Sequence, residues 1–382
     1  MFNMAVLFCE VRDLLRKLYI HIPFCARKCN YCDFNSYGNM LFLQDDYIDA
    51  VIREINSLEK CDIDTIYFGG GTPSFIKTEN IAKIMNAVKS HFNVYENAEI
   101  TLEANPATLS IEKLLSYKKS GINRISLGAQ SFIDDELRIL GRLHDANDIK
   151  ETYELVRKCG FDNVSLDLMF GIPSQSMESF EKSIEEVISL NPEHISCYGL
   201  KVEEGTPFYE DFENGKYTYT DDKTYSDMYE FLSNKLVKYG YNHYEISNFA
   251  KEGYQSRHNT AYWKCEEYYG VGSGASSYID SVRYTNEYDI HRYIEDFSRK
   301  VESDTLNKND KMSEFVILGL RLLQDGIDTD EFKNRFGKDI YDVFGDALNK
   351  HITNEFIEKR GYKLVLTEKA YCVSNAVMID FI

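Results

Sequence analysis

Three of the chain's nine cysteines, Cys25, Cys29 and Cys32, fall within eight positions of the stretch HIPFCARKCNYCDF. Thiols this close in sequence make poor disulfide partners, and they are one ligand short of a closed tetrahedral zinc site. Three thiolates on one short loop can instead grip three irons of a cubane cluster and leave the fourth iron open to a small molecule. A zinc site completed by His21 or by a distant cysteine is the competing chemistry. It fits less well, because structural zinc favours two separated ligand pairs.

Other groups able to do chemistry follow at intervals. IDTIYFGGGTPS brings Gly70, Gly71 and Thr72 together, where glycine lets a backbone with exposed N–H and C=O groups come close to a ligand. TLEANP presents Glu103, whose carboxylate can accept from hydroxyl groups; SLGAQSF presents Gln130, LGRLHD presents Arg142 and SLDLMFGIP presents Asp167. Arg142 suits a carboxylate partner. Further on, RHNTAYW sets His258 beside Tyr262 and the chain's single tryptophan, Trp263. A neutral imidazole is a common axial haem ligand and flat aromatic rings suit a porphyrin face, although a lone histidine is more often an ordinary surface or hydrogen-bonded residue.

The elements that must position these groups alternate from residue 17 to about 250. Strands are predicted at LYIHI (18–22), IDTIYF (63–68), AEITLE (98–103), RISLG (124–128), NVSLDLM (163–169) and HISCYGL (194–200). Between them lie amphipathic helices such as DYIDAVIREINSL, with Tyr47, Val51, Ile55 and Leu58 on one face. Glycines such as Gly121 and Gly160 suit left-handed helix caps. Six strand–helix units predict a parallel α/β sheet, an incomplete barrel or an open wound sheet, with functional groups at the C-terminal strand ends. The cysteine loop and the candidates above follow those ends. Residues 1–16 read as an N-terminal extension and 17–250 as the core domain. Residues 251–382 read as a smaller, mainly helical domain: MSEFVILGLRLLQ is helical in pattern, and GYKLVLTEKAYCVSNAVMIDF predicts a hairpin with a terminal element, a winged feature.

At 382 residues and 43% hydrophobic content the chain suits one large domain plus a smaller one. Its 43 basic and 62 acidic residues give a net charge of −19, which argues against nucleic acid as a partner. The remaining cysteines are scattered, the opening MFNMAVLF lacks a basic leader and runs into Glu10, Arg12 and Asp13, and no apolar stretch approaches membrane-span length. A reducing cytoplasm and a protein that is not integral to a membrane are expected.

With these motifs in hand, the chain resembles the radical S-adenosylmethionine (SAM) superfamily over most of its length. YIHIPFC…C…CDF looks like the branch that contains oxygen-independent coproporphyrinogen III oxidase and the HemW-type haem chaperones. The resemblance implies an incomplete (β/α)6 barrel with a smaller C-terminal domain. It implies a 4Fe-4S cluster on Cys25, Cys29 and Cys32, with SAM on its open iron. Tyr19, Gly70, Gly71, Thr72, Glu103, Gln130, Arg142 and Asp167 match the family's SAM-contacting positions.

The oxidase branch looks like C-x3-C-x2-C-x-C and carries a longer N-terminal extension than the 24 residues ahead of Cys25. Here Phe34 takes the place of the further cysteine. C-x3-C-x2-C-x-F is the chaperone pattern, and His258-Asn259-x-x-Tyr262-Trp263 resembles that family's HNxxYW signature. The implied function is haem binding, with His258 as the candidate ligand, and delivery to apo-proteins such as respiratory enzymes. The alternatives are a coproporphyrinogen oxidase, which Phe34 argues against, and a radical enzyme acting on an unrelated substrate.

Overall fold

In the computed structural model, which describes residues 15–382, the first strand among the described residues, β1, spans Leu15–Ile22. Its alternate residues Leu18, Ile20 and Ile22 are fully buried, while Tyr19 and His21 point to the other face, as strand periodicity requires. Pro23 follows immediately and lacks the N–H that would continue the ladder.

Five further parallel strands follow in sequence order. They are β2 (Asp62–Gly70), β3 (Asn93–Ala104), β4 (Arg124–Gln130), β5 (Val164–Phe170) and β6 (His194–Gly199), each paired to the one before. Helices α1 (Gln44–Ser57), α2 (Thr78–His91), α3 (Ile111–Ser120), α4 (Asp134–Leu140), α5 (Ala146–Lys158) and α6 (Met177–Leu190) fill the crossovers. In α1 the expected stripe is the buried one: Tyr47, Val51 and Ile55 have no exposed surface. Helix α3 ends at Gly121 in the left-handed region, φ 103°, and α5 opens with a capping box between Asp145 and Asp148. The predicted strands and the incomplete six-unit barrel are therefore the observed ones.

Among the described residues the sheet does not close on itself. Strands β7 (Asn242–Glu245) and β8 (Asn248–Ala250) cover the edge of β6, with β8 antiparallel to it. The edge of β1 pairs with β9 (Tyr268–Val271), which continues through β10 (Ser276–Ile279), β11 (Val282–Asn286) and β12 (Lys300–Thr305) to complete a twelve-stranded sheet. Residues 268–305 thus extend the main sheet, where the sequence had suggested the start of a helical domain. One buried carboxylate holds them there: Glu54 of α1 accepts from Gly272 N at 2.9 Å, Asn286 Nδ2 at 2.9 Å and the Tyr293 hydroxyl at 2.6 Å, and pairs with Lys300 at 3.3 Å. A buried charge requires such full satisfaction. Gly272, at φ +103°, lets this segment pass tightly over the Tyr47 hydroxyl and the His21 carbonyl.

A second hydrophobic core gathers Met312, Phe315, Leu320, Phe332, Leu348, Leu364 and Phe381. Its helices pack with a small antiparallel sheet in which β13 (Ile327–Asp328) and β14 (Ile357–Arg360) flank β15 (Lys363–Leu366), the expected winged hairpin. We draw the boundary of this unit near Leu306, where the main sheet ends, in place of residue 250. Residues 1–14, which include most of the N-terminal extension read at 1–16, lie outside the described residues.

Candidate functional site

The loop after β1 is tied down at several points. Cys25 N donates to Tyr37 O at 3.0 Å, Tyr37 N to Pro23 O at 2.7 Å, and Asn30 N to Leu140 O at 3.1 Å. Gly71 N and Thr72 N, after β2, donate to Ile22 O and Phe24 O at 2.8 Å each, so the glycine run is laced directly to the root of the cysteine loop. Gly70 sits at φ +108°, and any side chain there would run into the His21 imidazole.

Cys25, Cys29 and Cys32 are half-buried and line a single cleft of about 130 Å3. Gly70, Gly71, Thr72, Glu103, Gln130, Arg142 and Asp167 line the same cleft. All ten come together there, nine from strands β1 to β5 and the loops that follow their ends, and Arg142 from the loop after α4. Tyr19 is the exception: it lines a neighbouring cavity, with its hydroxyl 3.0 Å from His21 Nδ1.

Three further members were missed, although the same strand periodicity points to them. Asn105, two residues after Glu103, donates to Thr72 Oγ1 at 2.9 Å and accepts from Arg142 Nη2 at 2.6 Å. Ser126, on β4, donates to Asp167 at 3.0 Å, and the hydroxyl of Tyr198, at the end of β6, donates to Gln130 Oε1 at 3.0 Å.

The electrostatics of the cleft are those of a desolvated site. Burial pushes the Glu103 carboxyl up to about 7, against the Tyr67 hydroxyl that donates to it at 2.8 Å. Burial also raises Asp167, against the hydroxyls of Ser126 and Ser165. It raises Cys25, and it lifts Cys32 to about 11. The Thr72 hydroxyl lies 3.5 Å from Cys25 Sγ, and Arg142 Nη1 lies 3.5 Å from Cys29 Sγ. Both are donors suited to a metal-bound sulfur.

These residues fit a cluster with a small polar ligand. Among the described residues no three His, Cys, Asp or Glu side chains converge on one metal ion, but a cubane asks only for one thiolate at each of three irons. Arg142 Nε is buried in the wall of the cleft without a hydrogen-bond partner among the described residues, a donor left over for a ligand.

A second, larger cavity of about 680 Å3 adjoins this cleft, and Phe34, 62% exposed, lines both. Its walls are rich in rings: Tyr19, Tyr262, Trp263, Tyr268, Tyr278 and Tyr288. Volume and apolar lining lie in the range of sites for sizeable flat ligands. The helix Arg257–Trp263 supplies two of these rings, with its first backbone N–H groups, those of Arg257 and His258, received by the Glu99 carboxylate at 3.1 Å.

His258 does not reach this cavity as a free ligand. It is 1% exposed, its Nδ1 lies 2.8 Å from Thr65 Oγ1, and its Nε2 lies 2.8 Å from the Tyr262 hydroxyl. Its ring stacks on Tyr67 at 5.2 Å, and burial holds its pKa down at about 3. Both imidazole nitrogens are engaged inside the barrel.

Two family models match the chain: the radical SAM superfamily over residues 19–187 and the HemN C-terminal domain over 306–373. The protein named heme chaperone HemW from Bacillus subtilis is 36% identical, over 96% of this chain and 99% of the relative. The one from Lactococcus lactis is 34% identical, over 95% and 96%. The solved structure of coproporphyrinogen III oxidase (HemN) from Escherichia coli superposes with a TM-score of 0.83 over 97% of this chain and 90% of that one, at 21% identity, a likeness of fold. On its full-length similarity to these relatives, the chain belongs to the HemW family of the radical SAM superfamily.

Proposed function

We propose that the chain is a haem chaperone: haem occupies the ring-lined cavity, while a 4Fe-4S cluster on Cys25, Cys29 and Cys32 and SAM fill the adjoining cleft. The observation that carries this reading is the pairing of the two cavities across Phe34. The cleft gathers thiols and desolvated polar groups, whereas the cavity next to it is large, aromatic and apolar. When bound, the cluster would supply an open iron for the amino and carboxylate groups of SAM. Glu103, Gln130, Arg142 and Asp167 orient that ligand, and the backbone at Gly70 and Gly71 lets it approach closely.

Phe34 favours haem carriage over porphyrinogen oxidation. Its ring has no thiol to ligate, to donate or to carry a radical, and it separates the cavity from the cleft. We assign His258 a positioning role: it holds the Tyr262 hydroxyl, and through it one wall of the haem cavity. The recipients are apo-proteins such as respiratory enzymes, and the setting is the cytoplasm. No helix among the described residues is long and apolar enough to cross a membrane.

Anaerobic titration of the cluster-loaded chain with haem tests the reading. Stoichiometric, retained haem is the expected result, together with no protoporphyrinogen formed from coproporphyrinogen III in the presence of SAM and reductant. Many turnovers of that conversion would replace the chaperone by the oxidase. Absence of haem binding with cluster and SAM intact would leave a radical enzyme with another substrate.

A further inference from the structure

The large cavity has an extension that the haem reading alone does not explain. A pocket of about 350 Å3 adjoins it at Cys265, Tyr278 and Glu314, which line both. Three cations stand around this pocket in a chain of net charge −19: Lys308 and Lys311 from the start of the helix Lys308–Gly319, and Arg335.

The acids here are already engaged. Glu314 receives Arg283 through two bonds, at 2.6 and 3.0 Å, and Glu267 receives Arg16 at 3.1 Å. Arg335 pairs with Glu331 at 3.3 Å. Lys311 donates to the Ser281 hydroxyl at 3.0 Å, and among the described residues neither Lys308 nor Lys311 stands in an ion pair. Two ammonium groups in a pocket that adjoins an aromatic cavity, whose own carboxylates, Glu267 and Glu314, are each held by an arginine, form a receptor for anionic groups carried on an apolar ring.

We propose that Lys308 and Lys311 receive the propionate carboxylates of haem and so fix which edge of the macrocycle enters first. The proposal rests on the haem-carrier reading above. Where the large cavity meets the cysteine loop it carries Asp33 and Phe34, a charge and an apolar ring that both disfavour a carboxylate, whereas its other acids, Glu266 and Glu314, are paired to Lys17 and Arg283. Haem therefore lies with its acid edge toward the C-terminal unit and its apolar edge toward the cluster. This orientation keeps the carboxyethyl groups away from the SAM cleft, where an oxidase would have to bring them.

The test is an anaerobic titration of the cluster-loaded, full-length chain with hemin and with hemin dimethyl ester, whose carboxylates are masked. The wild type, the Lys308→Glu/Lys311→Glu variant and the Lys308→Arg/Lys311→Arg variant are compared. Charge reversal is expected to weaken hemin binding on the order of tenfold or more while the ester changes by no more than about twofold, and the arginine variant restores hemin binding. Cluster absorption reports that each variant is folded. Equal losses for hemin and ester, or no loss for hemin, overturn the propionate assignment while haem carriage stands. A wild type that retains neither hemin nor ester removes the haem-carrier reading, and this orientation with it.

Discussion

The Nε2 of His258 lies 2.8 Å from the hydroxyl of Tyr262, four residues on and one turn away along the same helix. The other ring nitrogen lies 2.8 Å from Thr65 Oγ1 on β2. The imidazole thus bridges the barrel wall and the helix that presents Tyr262 and Trp263 to the large cavity. With its pKa held down at about 3 by burial, it bridges them as the neutral ring. His258→Ala removes the partner of the buried Thr65 hydroxyl and of the half-buried Tyr262 hydroxyl, and the expected loss is about 1–3 kcal/mol of stability. Denaturant unfolding of the cluster-free chain measures it. On the positioning role proposed for His258, the Soret band of whatever haem the variant binds should keep its wild-type position. A shifted band in a variant of undiminished stability would restore His258 as the ligand.

That relationship also marks where sequence and structure part. Strand positions and the buried stripe of α1 were legible from local periods of two and 3.6 residues. The ten residues of the cleft were legible from the cysteine spacing, strand-end placement and the family resemblance, with Arg142 reached only through the last because it sits in the loop after α4. Asn105 and Tyr198 obey the same strand-end rule. Tyr19 and His258 could not be placed this way. Which of two cavities Tyr19 faces depends on how β9 packs against β1, a pairing between residues about 250 positions apart. The fate of His258 depends on Thr65, 193 positions away. The strands β9 to β12 were obscured for a similar reason: their short runs of four to six residues are stabilised by long-range bonds to Glu54 more than by their own pattern.

The cysteine loop gives the most direct chemical expectation. Cys25, Cys29 and Cys32 share one cleft, and replacing any of them by alanine removes one of only three protein thiolates for the cluster. Each variant should lose the broad visible absorption of the anaerobically reconstituted protein. Iron analysis is the second readout, and a triple variant still carrying a full complement of iron would show that the metal sits elsewhere.

The polar wall of the cleft predicts a graded effect on SAM. Removing one good polar contact costs about 1 kcal/mol or more, so Glu103→Ala should weaken SAM binding by roughly fivefold. Asp167→Ala should do at least as much, because the hydroxyls of Ser126 and Ser165 lose their acceptor with it. Equilibrium binding of SAM to the cluster-loaded chain distinguishes these from wild type. Unchanged affinity in both variants would mean that SAM does not occupy this cleft.

Glu103 also makes the stability of the chain depend on pH, and the sign follows from its burial. Its carboxyl rises from an ordinary 4.5 to about 7, chiefly through desolvation, with the nearby Asp167 adding to the effect and the Tyr67 hydroxyl and Gly70 N–H opposing it. Between those two values the folded chain holds a proton that the unfolded chain has released. The stabilising contribution is therefore complete below pH 4.5, declines as pH rises, and is gone above about 7. Glu103→Gln keeps the shape without the titration. Relative to wild type, the variant should gain up to about 3 kcal/mol on moving from about pH 5 to about pH 8. Asp167 is raised by burial as well, so some slope should persist in the single variant and flatten further when Asp167→Asn is added. Urea unfolding of the cluster-free chain across that range measures both steps. Parallel stability curves for wild type and Glu103→Gln would show that Glu103 is ionised in the folded chain throughout, and that the cleft is wetter than its burial indicates.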